Sequence, residues 1–133
     1  MNIEQLRVQD LMQTDVKRVK RSTTISQAAA IMRDSGVSSL VVDPDVDGDA
    51  FGIITRRDLI EAFLSKAISG PAHRVADAMT QPAITVNVGI SIYNCQQLMR
   101  MVGIRRLPVV DGNRLVGILS NADIFKRLLA DIA

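Results

Sequence analysis

"FGIITRRDLI", Phe51 to Ile60, and "VGILSNADIF", Val116 to Phe125, follow one pattern. Gly52 and Gly117 are each followed by two apolar residues and then a hydroxyl, Thr55 or Ser120, with Asp58 or Asp123 three positions further on. A Ser or Thr followed three residues later by an acid is a helix-capping box, in which the hydroxyl caps the helix start and the acid reaches back to the cap backbone. The box does not require the glycine. Glycine inside a strand costs about 0.5–1 kcal/mol relative to alanine, and it marks a close approach by a ligand or by another backbone. The pattern therefore also describes a strand that ends at a ligand. The hydroxyl and the N–H groups of the helix start would receive phosphate, and the carboxylate would accept hydrogen bonds from sugar hydroxyls.

The whole chain repeats. An offset of 67 carries "VQDLM" (Val8 to Met12) onto "VADAM" (Val75 to Met79) and Gly36 onto Gly103. After that the second copy reads with one extra residue, Pro108, and a shorter turn, so that Gly52 meets Gly117 at an offset of 65. Repetition on this scale points to duplication of one supersecondary unit that cannot bury its apolar face alone. The first copy predicts a strand around Val16 to Val19, a helix through Ile25, Ala28, Ala29 and Met32 stopped by Gly36, and a buried strand "LVVD". The turn "PDVDGD", the strand "FGIIT" and a helix from Arg56 to about Ser65 complete it. In the second copy the pieces are Ile84 to Val86, a helix with Ile92, Cys95, Leu98, Met99 and Val102 on one face, "LPVV", "RLVGILS", and a helix from Asn121 to about Ala130. The expected fold is α+β, two pseudo-symmetric β-α-β-β-α repeats packed through their sheets. The expected organisation is a first repeat over residues 1–67, a linker over 68–74 ("ISGPAHR") and a second repeat over 75–133.

Composition bounds the function. The 133 residues are 47% hydrophobic and 23% charged, enough to build a core and too apolar for disorder. With three Phe, one Tyr and no Trp, base-stacking platforms are scarce, and sixteen basic against fourteen acidic residues leave a net charge of only +2. Both features argue against nucleic acid as a partner. The lone Cys95 forms no internal disulfide, the amino terminus shows no secretory pattern, and no apolar run approaches a membrane span. These point to a cytoplasmic protein with no membrane partner.

At this point "GIITRRD" and "GILSNAD" resemble the G-h-x-[ST]-x-x-D nucleotide-binding motif of cystathionine-β-synthase (CBS) domains. "GIRRLPVVD" resembles that family's second-strand segment, and each repeat opens with a similar "D-x-M" segment. The resemblance covers essentially the whole chain as a tandem pair. It implies two clefts between the repeats that bind AMP, ADP, ATP or S-adenosylmethionine as a regulatory ligand, with no cofactor required. Asp58 and Asp123 would hold ribose hydroxyls, and Thr55 and Ser120 would contact ribose or phosphate. Each cleft would also take contacts to the base from the segment before the other repeat's first strand, Asp15 to Lys17 or Pro82 to Ile84. Val16, Lys17, Ala83 and Ile84 are thus site candidates. Arg105 and Arg106 match positions where basic residues face phosphates, whereas the first repeat has Ser38 and Ser39 there. That departure makes the two sites unequal. The resemblance also implies a homodimer and an effector protein as partner.

Other signals are weighed from the residues themselves. "KRVKR", Lys17 to Arg21, is either a solvated edge guarded by charge or a phosphate or nucleic-acid contact, with Lys17 the candidate for phosphate. Arg56, in the first helical turn, is badly placed for the helix dipole unless an anion joins it, which makes it a further phosphate candidate. His73 has no second His or Cys nearby for a metal. Neither a Walker loop, a G-x-G-x-x-G, metal-spaced Cys or His, nor a G-x-S-x-G elbow occurs, so no enzyme activity is expected. Besides a nucleotide sensor, two alternatives stand: a structural dimerisation or docking module with vestigial clefts, and an RNA- or DNA-binding accessory using "KRVKR".

Overall fold

The computed structural model describes residues 2–65 and 73–132; most of the expected linker, residues 68–72, lies outside the described residues. In chain order the elements are α1 (Val8–Leu11), β1 (Arg18–Lys20), α2 (Ile25–Ser35), β2 (Ser39–Asp43), β3 (Gly52–Thr55) and α3 (Arg56–Leu64). They continue as β4 (Val86–Asn87), α4 (Ile92–Val102), β5 (Arg106–Asp111), β6 (Arg114–Ser120) and α5 (Asn121–Ile132). Short 3₁₀ turns at Ile3–Gln5 and Val75–Asp77 precede α1 and follow α3. The chain is α+β, and each repeat reads β-α-β-β-α.

Two compact units form, Lys17–Ala83 and, together, Met1–Val16 with Ile84–Ala133. The amino-terminal segment of the first repeat therefore folds onto the second. The segment around Val75 to Ala83, which opens the second repeat in sequence, folds onto the first.

Each unit holds a three-stranded sheet with the second strand central, in the orders β1-β2-β3 and β4-β5-β6. The outer pairings match: β1 runs parallel to β2 and β4 to β5, while β2–β3 and β5–β6 are antiparallel. The helices form for the same reasons in both units. Thr24 accepts from the Gln27 N–H while the Gln27 side chain returns to the Thr24 N–H, and Ser91 accepts from the Asn94 N–H. At the far ends, Gly36 (φ 68°) and Gly103 (φ 73°) take the left-handed conformation that closes a helix without a side-chain clash. Ile25, Ala28 and Met32 are buried on α2, and Ile92, Cys95 and Met99 at the equivalent places on α4. Aliphatic side chains fill both cores, around Leu40, Val42 and Ile54 in one unit and Leu107, Val109 and Leu119 in the other.

Two local expectations change. Pro108 is not an added residue: it takes the place of Val41, each standing opposite an isoleucine, Ile118 and Ile53 respectively. The register slips instead between Val109 and Val110. The Val41 N–H donates to the Lys17 carbonyl at 3.0 Å, extending β1 to Arg18. Proline has no N–H to give, so the equivalent pairing is lost and β4 keeps only Val86 and Asn87. The first strand also starts later than Val16. Within it Val19 is buried while Arg18 and Lys20 face solvent, the alternation a half-buried edge strand requires.

Candidate functional site

Gly52 and Gly117 lie where another segment crosses the strand. A Cβ on Gly117 would sit 2.5 Å from Met12 Sδ and 2.9 Å from the Gln13 carbonyl oxygen. On Gly52 it would sit 3.0 Å from Met79 Sδ and 3.2 Å from the Thr80 carbonyl oxygen. The approaching partner is thus a methionine and a backbone, and the ligand alternative is not what these glycines serve. Gln13 exchanges two backbone hydrogen bonds with Ile118, and Thr80 two with Ile53, all at 2.9 Å. Each crossing segment is thereby held beside the motif of its own compact unit.

The motif itself folds as a reciprocal cap. Asp58 Oδ2 accepts from the Thr55 N–H at 2.8 Å and from the Thr55 hydroxyl at 3.0 Å, and Thr55 Oγ1 accepts from the Asp58 N–H at 3.2 Å. Asp123 and Ser120 repeat the three bonds at 2.9, 3.0 and 3.3 Å. The first N–H of α3, from Arg56, donates to the Ser38 carbonyl, and that of α5, from Asn121, to the Arg105 carbonyl, both at 2.8 Å. Among the described residues only the second N–H of each helix, from Arg57 or Ala122, is left for an outside acceptor.

A hydroxyl has one hydrogen to donate and two lone pairs. Thr55 and Ser120 have each spent the hydrogen on the aspartate and one lone pair on the helix, so in this cap they can accept but not donate. The other carboxylate oxygen, Oδ1, takes no part in either cap. What the capping side chains of each motif end offer is a cluster of acceptors, suited to hydroxyl donors and poorly suited to phosphate.

The remaining candidates divide between the units. Lys17, Thr55, Arg56, Asp58 and Ala83 belong to one, and Val16, Ile84, Arg105, Arg106, Ser120 and Asp123 to the other. Arg56 and Arg105 are exposed, as is Ile84, while Val16, Lys17, Ala83 and Arg106 are half-buried. The Ala83 N–H donates to the Phe51 carbonyl at 2.7 Å, fixing that segment beside the start of β3. Arg106 stands directly across from Ser120, where the other sheet has Ser39 across from Thr55. Of the basic run, Arg18 pairs with Asp43 at 2.7 Å and Arg21 with Asp45 at 3.4 Å. Arg21 also bonds the Gln81 side chain. Arg18 is therefore balanced by the last residue of β2 and Arg21 by the acidic turn that follows it.

The site also contains a residue that the sequence reading missed. Gln13 Nε2 donates to Asp123 Oδ1 at 3.0 Å. Offset alignment places Gln13 over Thr80, so the difference in reach was visible; the resemblance brought the neighbouring Asp15 to Lys17 to the other repeat's site, but nothing in the sequence placed Gln13 on Asp123.

A family model for the CBS domain matches residues 8–65 and 75–130. The chain belongs to the CBS-domain family, as a tandem pair. An uncharacterized protein of Methanopyrus kandleri is 35% identical over 120 residues, 90% of this chain and 61% of that protein. The crystal structure of the hexameric CBS-CP12 protein from bloom-forming cyanobacteria has a TM-score of 0.82 at 30% identity, covering 90% of this chain and 66% of that one. The chain thus spans less than two thirds of the length of both. The CBS domain pair of protein MJ0100, solved in complex with 5′-methylthioadenosine and S-adenosyl-L-methionine, has a TM-score of 0.82 at 24% identity over 96% of this chain and 98% of that one. At that identity it speaks for the fold. The two CBS matches leave no catalytic domain within these residues, and no helix among those described is long and apolar enough to cross a membrane.

Proposed function

We propose that this CBS pair is a regulatory module that binds an adenosine-bearing ligand, AMP, ADP, ATP or S-adenosylmethionine, at its motif ends. The observation that carries the reading is the pair of acceptor clusters, Thr55 with Asp58 and Ser120 with Asp123, each with a carboxylate oxygen outside the cap. A ribose diol supplies the donors such a cluster lacks. Val16, Lys17, Ala83 and Ile84 flank the base, and Arg56, Arg105 and Arg106 face any phosphate, with Arg106 giving its end the more anion-friendly surroundings. A module of the same fold was solved in complex with 5′-methylthioadenosine and S-adenosyl-L-methionine, which agrees with the class without selecting a member. Signalling follows if the ligand favours one conformation or assembly over another, and only to the extent that it binds that state more tightly.

Isothermal titration with each of the four ligands tests this. Asp58→Ala and Asp123→Ala should each remove one component of binding, with affinity at the altered end falling at least about tenfold, as loss of a hydrogen-bonded charge implies. Absence of heat with all four would sink the reading.

A dimerisation role is favoured by a second observation. Ile60, Phe63 and Leu64 on α3 are exposed, and so are Phe125, Leu128 and Leu129 at the equivalent positions of α5, with Leu64 80% and Phe125 60% accessible. Apolar residues at i, i+3 and i+4 on both helices are the spacing of a helix–helix seam. Burying them against a second copy accounts for side chains that would otherwise face water, and the cyanobacterial relative is itself an oligomer. Analytical ultracentrifugation should give a dimer for the native chain and a monomer for Phe125→Glu/Leu129→Glu; a native monomer at tens of micromolar would rule it out.

A further inference from the structure

We propose that Gln13 sets the ligand specificity of the Asp123 end by occupying part of its carboxylate, so that the two motif ends read different numbers of sugar hydroxyls. The inference rests on the nucleotide-binding reading above. A carboxylate oxygen accepts about two hydrogen bonds. Asp58 Oδ2 is filled by the Thr55 N–H and hydroxyl, and among the described residues nothing reaches Oδ1, so both hydroxyls of a cis-diol can be accepted there. Asp123 Oδ2 is filled in the same way, but Oδ1 already accepts from Gln13 Nε2 at 3.0 Å. One place remains. The donor identity is fixed by chemistry, since an ionised carboxylate only accepts and the amide nitrogen is the only donor on a glutamine side chain.

Gln13 is held for this contact. Its N–H and carbonyl are both tied to Ile118, which pins the backbone while the side chain lies at the surface. Thr80, at the equivalent crossing, makes the same two backbone bonds to Ile53 with a side chain two atoms shorter. Gln13 is therefore a positioning residue that acts through Asp123. Its effect should show as a change in discrimination between a diol and a single hydroxyl.

The test uses AMP and 2′-deoxy-AMP on the full chain. Asp123→Asn and Asp58→Asn each leave one end intact, because an asparagine oxygen still accepts in the cap while its amide turns a donor toward the sugar. The Asp123→Asn protein, reading through Asp58, should prefer AMP over the deoxy compound about tenfold, the worth of one hydrogen bond to a charged acceptor. The Asp58→Asn protein, reading through Asp123, should prefer it less than about threefold, and adding Gln13→Ala should raise that preference toward tenfold. Adding Gln13→Ala to Asp123→Asn should change nothing, and thermal melting should confirm that every variant folds. If the Asp58→Asn protein binds AMP and its preference is unmoved by Gln13→Ala, the inference fails while nucleotide binding stands. If the native chain binds neither compound, this inference fails, and the nucleotide reading stands or falls separately on the titration with all four ligands.

Discussion

At Thr55–Asp58 and at Ser120–Asp123 the same three cap bonds recur at nearly the same lengths. The surroundings differ in the side chains that distant segments bring. Gln13 reaches Asp123 where Thr80 stops short of Asp58, Arg106 replaces Ser39, and Met12 presses on Gly117 more closely than Met79 on Gly52. A cap is written by residues three apart, so duplication of the segment duplicates the cap with it. Contacts from elsewhere are written by two separate segments, and these can diverge while both caps persist. The two ends are thus one scaffold with two chemistries.

The largest difference expected between them is mechanical. Alanine at Gly117 would force the Met12 side chain and the Gln13 backbone to move, and backbone tied by two hydrogen bonds to Ile118 yields poorly. Gly117→Ala should destabilise by about 2–3 kcal/mol and Gly52→Ala by about 1–2 kcal/mol, within the range for overpacking a filled site. Urea denaturation of the two variants checks the order. Equal costs would mean that the Met12–Gln13 crossing relaxes as readily as the Met79–Thr80 crossing, and that the closer approach at Gly117 has no energetic content.

What was legible in the sequence follows the same division between local and distant. The helices through Ile25 and Ile92, their stops at Gly36 and Gly103, the strand Arg114–Ser120 and the two caps were all readable, because each is set by periodicity or by residues a few positions apart. The misplacement of Pro108 came from aligning letters across a slip; the pairing of Pro108 with Ile118 and of Val41 with Ile53 shows the register. The exchange of opening segments between the repeats was illegible from the residues alone, since nothing in "LMQTD" or "AMTQP" states which sheet it will cross. Both the role of the glycines and the Gln13 contact depend on that exchange. The acceptor-only character of the capping side chains needed hydrogen-bond directions, which spacing cannot supply.

The cores carry a smaller contrast. Cys95 and Ala28 occupy equivalent buried positions on α4 and α2, so one unit packs a sulfur where the other packs a methyl group. Cys95→Ala removes one buried heavy atom and should cost about 1 kcal/mol, the scale of a single deleted core group. Burial pushes the Cys95 thiol from 9.0 up to about 11, because the thiolate loses its hydration in an apolar core. The folded chain thus holds the proton over a range in which the unfolded chain has released it, so native stability must fall as pH rises from about 9 toward 11. Cys95→Ala lacks this loss. The stability difference between the two proteins should be constant below about pH 8 and shrink or reverse by about pH 11, read from urea midpoints across that range. A difference that stays constant throughout would place Cys95 in contact with water and remove the contrast between the two cores.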